Sequence, residues 1–285
     1  MGSTENVEAQ REELLARWED AAAGWSRRAD RVREMGMAVS VWMIDHVRLQ
    51  PGRDVLELAA GPGDTGFLAA ELISPGGTLI SSDGTEAMLE VARGRARELG
   101  IDNVEFKRLE LEWIDLPAAS VDVILCRWGV TLSVDPAAAL IECRRVLRPG
   151  GSLTAAVWDG APSNPWATIA TEVLVQLGHM PPPDPNAPGM FSLSAPGRLA
   201  EMLADAGFAD VRVEAVALSR PYPSVEEYLA ETRDLSRMFS DVYEPLSETQ
   251  RAEVWRETEK LAAPFQAADG SLELPGRSLV AAADA

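Results

Sequence analysis

The chain is short of the side chains that usually announce chemistry. Cys126 and Cys143 are its only cysteines, and His46 and His179 its only histidines. Two cysteines cannot build a disulfide framework, and these four residues show no metal-ligand spacing, so no metal site is expected. Basic residues are also outnumbered, 26 against 45 acidic, for a formal charge of -19. Such a field opposes binding to a phosphate backbone or an anionic membrane, which excludes nucleic acid and membrane as partners. No run reaches the ~18 apolar residues of a membrane helix, and the opening MGSTENVEAQREELL has no apolar signal core. There is no internal repeat, and the one biased stretch is the proline cluster after His179. A cytoplasmic enzyme acting on a small molecule is the expectation these absences leave.

What is present centres on Asp54 to Gly66, DVLELAAGPGDTG. Val55, Leu56, Leu58, Ala59 and Ala60 form the short apolar run of a parallel strand covered by helices on both faces. Gly61 and Gly63 then permit a tight turn and a close ligand approach, and Phe67 to Leu72 reads as a helix whose free amides face whatever lies over the glycines. Glu57 interrupts the apolar run. A carboxylate buried there is costly without a partner, so it is expected at the cleft, with a core hydrogen-bond network as the alternative. Gly61 to Gly66 also satisfies G-x-G-x-x-G, so the glycines alone leave a dinucleotide open.

The neighbouring residues decide between cofactors. E-x-x-x-G-x-G, Glu57 to Gly63, resembles the first motif of class I S-adenosylmethionine-dependent methyltransferases, and four later stretches agree in order. Gly77 to Asp83 is a second strand ending in an acid 22 residues beyond Gly61, where a carboxylate accepts from ribose hydroxyls. Gly84 follows, and the resemblance places Met88 on the adenine face, core filling being its other role. After the third strand, Val104 to Leu109, relatives carry Asp-Ala for an adenine contact where this chain has Glu110-Leu111. The substitution leaves a backbone contact from Leu111. Val121 to Gly129 is the fourth strand and its exit, which brings Cys126, Arg127 and Trp128 beneath the reactive end of the cofactor. RVLRPGG, Arg145 to Gly151, resembles the late architectural motif of the family and precedes a fifth strand, Ser152 to Trp158.

The expected fold is therefore α/β, a doubly wound seven-stranded, mostly parallel sheet of the Rossmann-like methyltransferase kind, with an N-terminal and an inserted helical cap. Residues 1–50 form a helical lid, 51–160 the cofactor core, 161–194 a helical, proline-rich insertion, and 195–219 a continuation of the core. A second helical insertion spans 220–270 and a last strand 271–285. Leu14, Trp18, Ala22 and Trp25 recur on one helical face, which offers Trp25 to the substrate pocket and Trp18 chiefly to the core. The sixth strand is expected at Val211 to Val216, the seventh at Arg277 to Ala282, and two helices between 224 and 264.

The resemblance implies S-adenosylmethionine as cofactor and transfer of its methyl group to a small organic acceptor, with oxygen or carbon favoured. The cofactor residues are Glu57, Ala59, Gly61, Gly63, Asp83, Gly84, Met88, Glu110, Leu111 and Cys126, with Trp25, Arg127 and Trp128 at the substrate. His179 is the one histidine in the cap and the candidate base. An NAD-dependent oxidoreductase and a cofactor-binding protein without turnover are the alternatives, and a homodimer contact is a second use for the inserted helices.

Overall fold

The computed structural model describes residues 2–182 and 189–285. Two helices, α1 (Gly2–Arg27) and α2 (Ala29–Asp45), precede the sheet. Then come β1 (Asp54–Glu57), α3 (Asp64–Ile73), β2 (Thr78–Asp83), α4 (Glu86–Leu99), β3 (Val104–Arg108) and β4 (Val121–Arg127). The second half comprises α5 (Pro136–Val146), β5 (Leu147–Trp158), α6 (Pro165–Gln176), α7 (Arg198–Asp205) and β6 (Ala209–Tyr222), then α8 (Val225–Leu235), α9 (Arg237–Tyr243), α10 (Glu248–Ala262) and β7 (Leu272–Asp284). The strands lie in the order β3-β2-β1-β4-β5-β7-β6. β1 to β5 are parallel, and β7 runs antiparallel to both β5 and β6.

Alternation along β1 explains its nearly unbroken apolar sequence. Leu56 and Leu58 enter the core layer with α5 and α7, whereas Val55 enters the opposite layer with α2, α3 and α4. Both faces of the strand are buried, so both sets of positions are apolar. β1 is flanked by β2 on one side and β4 on the other. This is the point where the strand order reverses, and a crevice opens there beyond the carboxyl ends of the strands.

The doubly wound, seven-stranded sheet is the one expected, but several boundaries move. α5 stops at Val146, because Leu147 already pairs with Val121, and the Arg148-Pro149-Gly150-Gly151 stretch is carried inside β5. β6 and β7 are 14 and 13 residues long, more than twice the expected spans. Their pairing continues to Tyr222 with Leu272 and takes in Pro221 and Pro275. Pro221 lies on the outer strand β6, and Pro275 on the part of β7 beyond its last pair with β5, Ser278 with Trp158, so each has an unpaired side that tolerates a proline. The second insertion holds three helices, since Ser236 closes α8 and caps α9 by accepting from the Phe239 amide.

A buried charge cluster ties the insertions to the sheet. Glu231 of α8 accepts from the Tyr222 hydroxyl at 2.7 Å and from Arg220 Nη2 at 3.3 Å, while its other oxygen accepts from Arg31 Nε at 3.3 Å. Arg220 lies 3.6 Å from the centroid of Trp166 at the start of α6. Removing one member of such a cluster leaves a buried charge without its counterpart. Glu231→Ala is accordingly expected to cost about 3–5 kcal/mol of unfolding free energy, read by urea denaturation, with a visibly smaller loss for Glu231→Gln.

Candidate active site

The crevice is a cleft partly open to solvent. Its floor comes from the exits of β1, β2 and β4, and one wall from α1, which contributes Leu14, Leu15, Trp18 and Trp25. The loop after β1 turns through left-handed backbone at Ala59 (φ 49°), Gly61 (φ 51°) and Gly63 (φ 87°). At Gly61 a Cβ would meet nothing within 4 Å, so the turn faces open space, whereas at Gly63 it would strike the Phe67 ring at 2.4 Å. Gly61 thus presents backbone to the cleft and Gly63 makes room for α3. The loop after β4 meets this turn edge-on: Gly129 lies where a Cβ would come 2.5 Å from that of Ala59.

Glu57 is 3% exposed, and its carboxyl accepts from the Gly66 amide at 2.7 Å and from the Ser81 hydroxyl at 3.4 Å. It lines the cleft while held in a core hydrogen-bond network, so the two placements offered by the sequence are both partly met. Burial pushes its pKa up to about 8, against the opposing pull of the Gly66 hydrogen bond and of Arg127. Asp83 accepts from the Gly61 amide at 3.0 Å and from the amide and hydroxyl of Thr85, both at 3.2 Å. Burial raises its pKa as well.

Ala59, Gly61, Asp83, Gly84, Met88, Glu110 and Leu111 all line the same cleft, together with Trp25, Arg127 and Trp128. Gly84 has its own reason to be glycine, since a Cβ would meet Leu15 of α1 at 2.7 Å. Glu110 is paired with Arg11 of α1 at 3.5 Å. Arg127 donates to Ser40 at 3.0 Å and to Asp64 at 3.2 Å, and Asp64 also takes Arg95 at 3.1 Å. The Arg127 guanidinium lies 4.7 Å from the centroid of Trp128. Trp128, itself left-handed at φ 66°, stacks 4.2 Å from Trp158 and donates to the Ser278 hydroxyl at 2.9 Å. Trp25 donates to the Leu235 carbonyl at 3.2 Å, which fastens α1 to α8.

Three expected site residues lie elsewhere. Cys126 is fully buried in the sheet core, with its thiol pushed up to about 12 by burial, and Gly63 turns inward as described. His179 follows α6, whose buried side chains join the cap cluster with Tyr222 and Tyr228, and it does not line the cleft. Conversely, Trp18 lines the cleft rather than serving only the core, and Arg11, Leu14, Leu15 and Asp64 join the site or its support. The Leu14-Trp18-Trp25 face was legible as a stripe. Nothing in the sequence said which element it faced.

A model described as a methyltransferase domain matches residues 49–174. Among curated proteins, the chain is 31% identical over 73% of its length to an uncharacterized 37.1 kDa protein in transposon TN4556 of Streptomyces fradiae. It is 34% identical over 46% of its length to a ubiquinone/menaquinone biosynthesis C-methyltransferase of Hahella chejuensis. The matches span 59% and 52% of those two relatives' own lengths. A nocamycin O-methyltransferase of Saccharothrix syringae is 29% identical over 71% of this chain and 76% of its own. In fold the chain resembles the YcgJ protein of Bacillus subtilis, with a TM-score of 0.56, 20% identity and coverage of 86% and 97% of the two chains. It also resembles the [4+2]-cyclase SpnF, with a TM-score of 0.53, 17% identity and coverage of 86% and 80%. A sheet of this shape hosts more than one chemistry, and function is decided at the site.

Glu57 makes a direct prediction about stability. Its folded pKa of about 8 stands above the ordinary 4.5, so folding takes up a proton between those values. The fold accordingly loses stability as pH rises through that window. Without ligand, Glu57→Gln is expected to abolish this slope and to be more stable than the parent at pH 8 by on the order of 3 kcal/mol. At pH 5 the two should be nearly equal in chemical denaturation.

Proposed function

We propose that this chain, whose residues 49–174 match a methyltransferase-domain model, is a class I S-adenosylmethionine-dependent methyltransferase, and that the whole protein transfers the cofactor's methyl group to oxygen or carbon of a small organic acceptor in the cytoplasm. The observation that carries the reading is the Glu57 carboxyl bonded to the Gly66 amide beside an open left-handed turn at Gly61. In a dinucleotide site the glycine loop and the helix N-terminus serve a pyrophosphate. Here the third glycine's amide is already capped by an acid, and a second acid, Asp83, closes the turn. An ammonium of a methionyl group favours the ionised form of an acid in this position, and that ionised form repels a pyrophosphate. The donor set thus suits an amino-acid-bearing nucleoside and opposes NAD.

On this reading Glu57 and the Gly61 turn hold the methionyl end, and Asp83 holds the ribose. Met88 and Leu111 enclose the adenine, and Glu110 lies at its rim. When bound, S-adenosylmethionine supplies a methyl group already activated by the sulfonium, so the protein's share is orientation and electrostatics. Trp18, Trp25 and Trp128 wall the remaining space and exclude water from it. They also restrict an acceptor to the few poses in which in-line approach is feasible, which is where much of the rate arises. Relatives named for C- and O-methylation support these two acceptor atoms. The absence of any helix, among the described residues, long and apolar enough to cross a membrane is compatible with the proposed location.

Calorimetric titration with S-adenosylhomocysteine and, separately, NAD tests the proposal. Binding of the first is expected, weakened at least about tenfold by Glu57→Ala and by Asp83→Ala, a loss of roughly 1.4 kcal/mol or more in each case. Binding of NAD with no response to S-adenosylhomocysteine would overturn it.

A further inference from the structure

Deprotonating an acceptor hydroxyl usually falls to a positioned histidine, lysine, tyrosine, cysteine or carboxylate. This chain has few of the first four, and each can be located. His46 stacks on Trp42 at the end of α2, and His179 follows α6. Tyr222 and Tyr228 are buried in the cap, and Tyr243 stacks on Phe239 of α9. Cys126 and Cys143 are buried in the core. Lys107 on β3 pairs with Glu105, and Lys260 on α10 pairs with Glu257. None of these lines the cleft.

The acids that do line it are already engaged. Glu57 is on the Gly66 amide, Asp83 on the Gly61 and Thr85 amides, and Glu110 on Arg11. Glu112 accepts from the amides of Val134 and Asp135, at 2.8 and 3.2 Å. Two guanidiniums, those of Arg11 and Arg127, reach the cleft, the second lying over the Trp128 ring. Three indoles supply flat apolar walls.

Resting on the methyl-transfer reading above, we infer that the acceptor brings its own nucleophile: a flat enol or phenol acidic enough to be bound as its oxyanion, with no proton taken by the protein. In the transfer the oxyanion's electron pair forms the new O–C bond. The C–S bond breaks, its electrons return to sulfur, and the sulfonium charge is cancelled. The oxyanion's proton has already gone to solvent. Indole faces suit a planar delocalised anion, and a guanidinium behind one of them offsets its charge. The carboxyls at the cleft are each turned to a partner of their own, backbone amides for Glu57, Asp83 and Glu112 and Arg11 for Glu110.

The test uses the full chain and two readouts. With S-adenosylhomocysteine bound, 4-nitrophenol is titrated in and its absorbance followed, which reports ionisation of the bound phenol directly. With S-adenosylmethionine, methyl transfer is then measured against pH for 4-nitrophenol, 4-cyanophenol, phenol and 1,3-cyclohexanedione, with aniline, benzylamine and benzyl alcohol as comparators. The expected results are phenolate absorbance of the bound probe, and a kcat/KM that rises with pH at a midpoint tracking each acceptor's own pKa. Benzyl alcohol should give no product. A midpoint common to all acceptors would reveal a protein base and overturn the inference, as would transfer to the amines alone. Homocysteine-product binding without binding or methylation of any acidic phenol or enol would overturn it too, leaving the cofactor reading intact. Failure of S-adenosylhomocysteine itself to bind would sink the cofactor reading and the inference together.

Discussion

A single buried carboxyl sets the terms for the rest of this site. Glu57 ends β1 inside a sheet covered on both faces, where an acid is expensive unless its oxygens are engaged. The Gly66 amide at the head of α3 engages one oxygen, and it can do so only because residue 66 lacks a Cβ, which would lie 2.2 Å from the other oxygen. The chain must therefore turn back within nine residues, and left-handed backbone at Ala59, Gly61 and Gly63 makes that turn. The same turn brings the Gly61 amide to Asp83 on the neighbouring strand. The placement of Gly66 and the shape of the turn thus follow from one requirement.

The parts of the molecule legible in its sequence were those governed by local periodicity. The apolar runs at Val55, Leu79 and Ile124 alternate between two buried layers, and such runs read as parallel strands without further context. Ser236 was harder, because a helix that ends where the next begins looks like one longer amphipathic segment. The full lengths of β6 and β7 exceed the short apolar cores at Val211 to Val216 and Arg277 to Ala282, because their outer halves pair only with each other and take in Pro221 and Pro275, which a strand tolerates where one side is unpaired. The position of His179, away from the cleft lining, has a related cause. Chemical identity made it a candidate, but the path of α6 into the cap cluster decides where it goes, and that path is a tertiary matter. Arg127 shows the converse: its residue type and strand position were sound guides, while its ties to Ser40 and Asp64 join elements far apart in sequence.

The cap and the core meet along aromatic and charged side chains. From the cleft, Trp128 stacks on Trp158, Trp158 lies 4.9 Å from Trp166, and Arg220 covers Trp166 against Glu231 of α8. On the other side, α1 is fastened to α8 through Trp25 and through Arg27 and Arg28 on Asp234. These contacts make the insertions structural partners of the cleft walls, so changes in the cap reach the acceptor space through packed rings instead of through loose loops. Among the described residues, the carboxyls that line the cleft are each engaged by an amide or by Arg11.

The most direct measurement is the number of protons exchanged when S-adenosylhomocysteine binds at pH 7, obtained by calorimetry in two buffers of different ionisation enthalpy. Glu57, neutral before binding, has to ionise to meet the ligand's ammonium. Release of close to one proton per site is expected, abolished in Glu57→Gln. Binding with no proton released, or with the same release in the variant, would contradict it and remove Glu57 from the recognition of the cofactor.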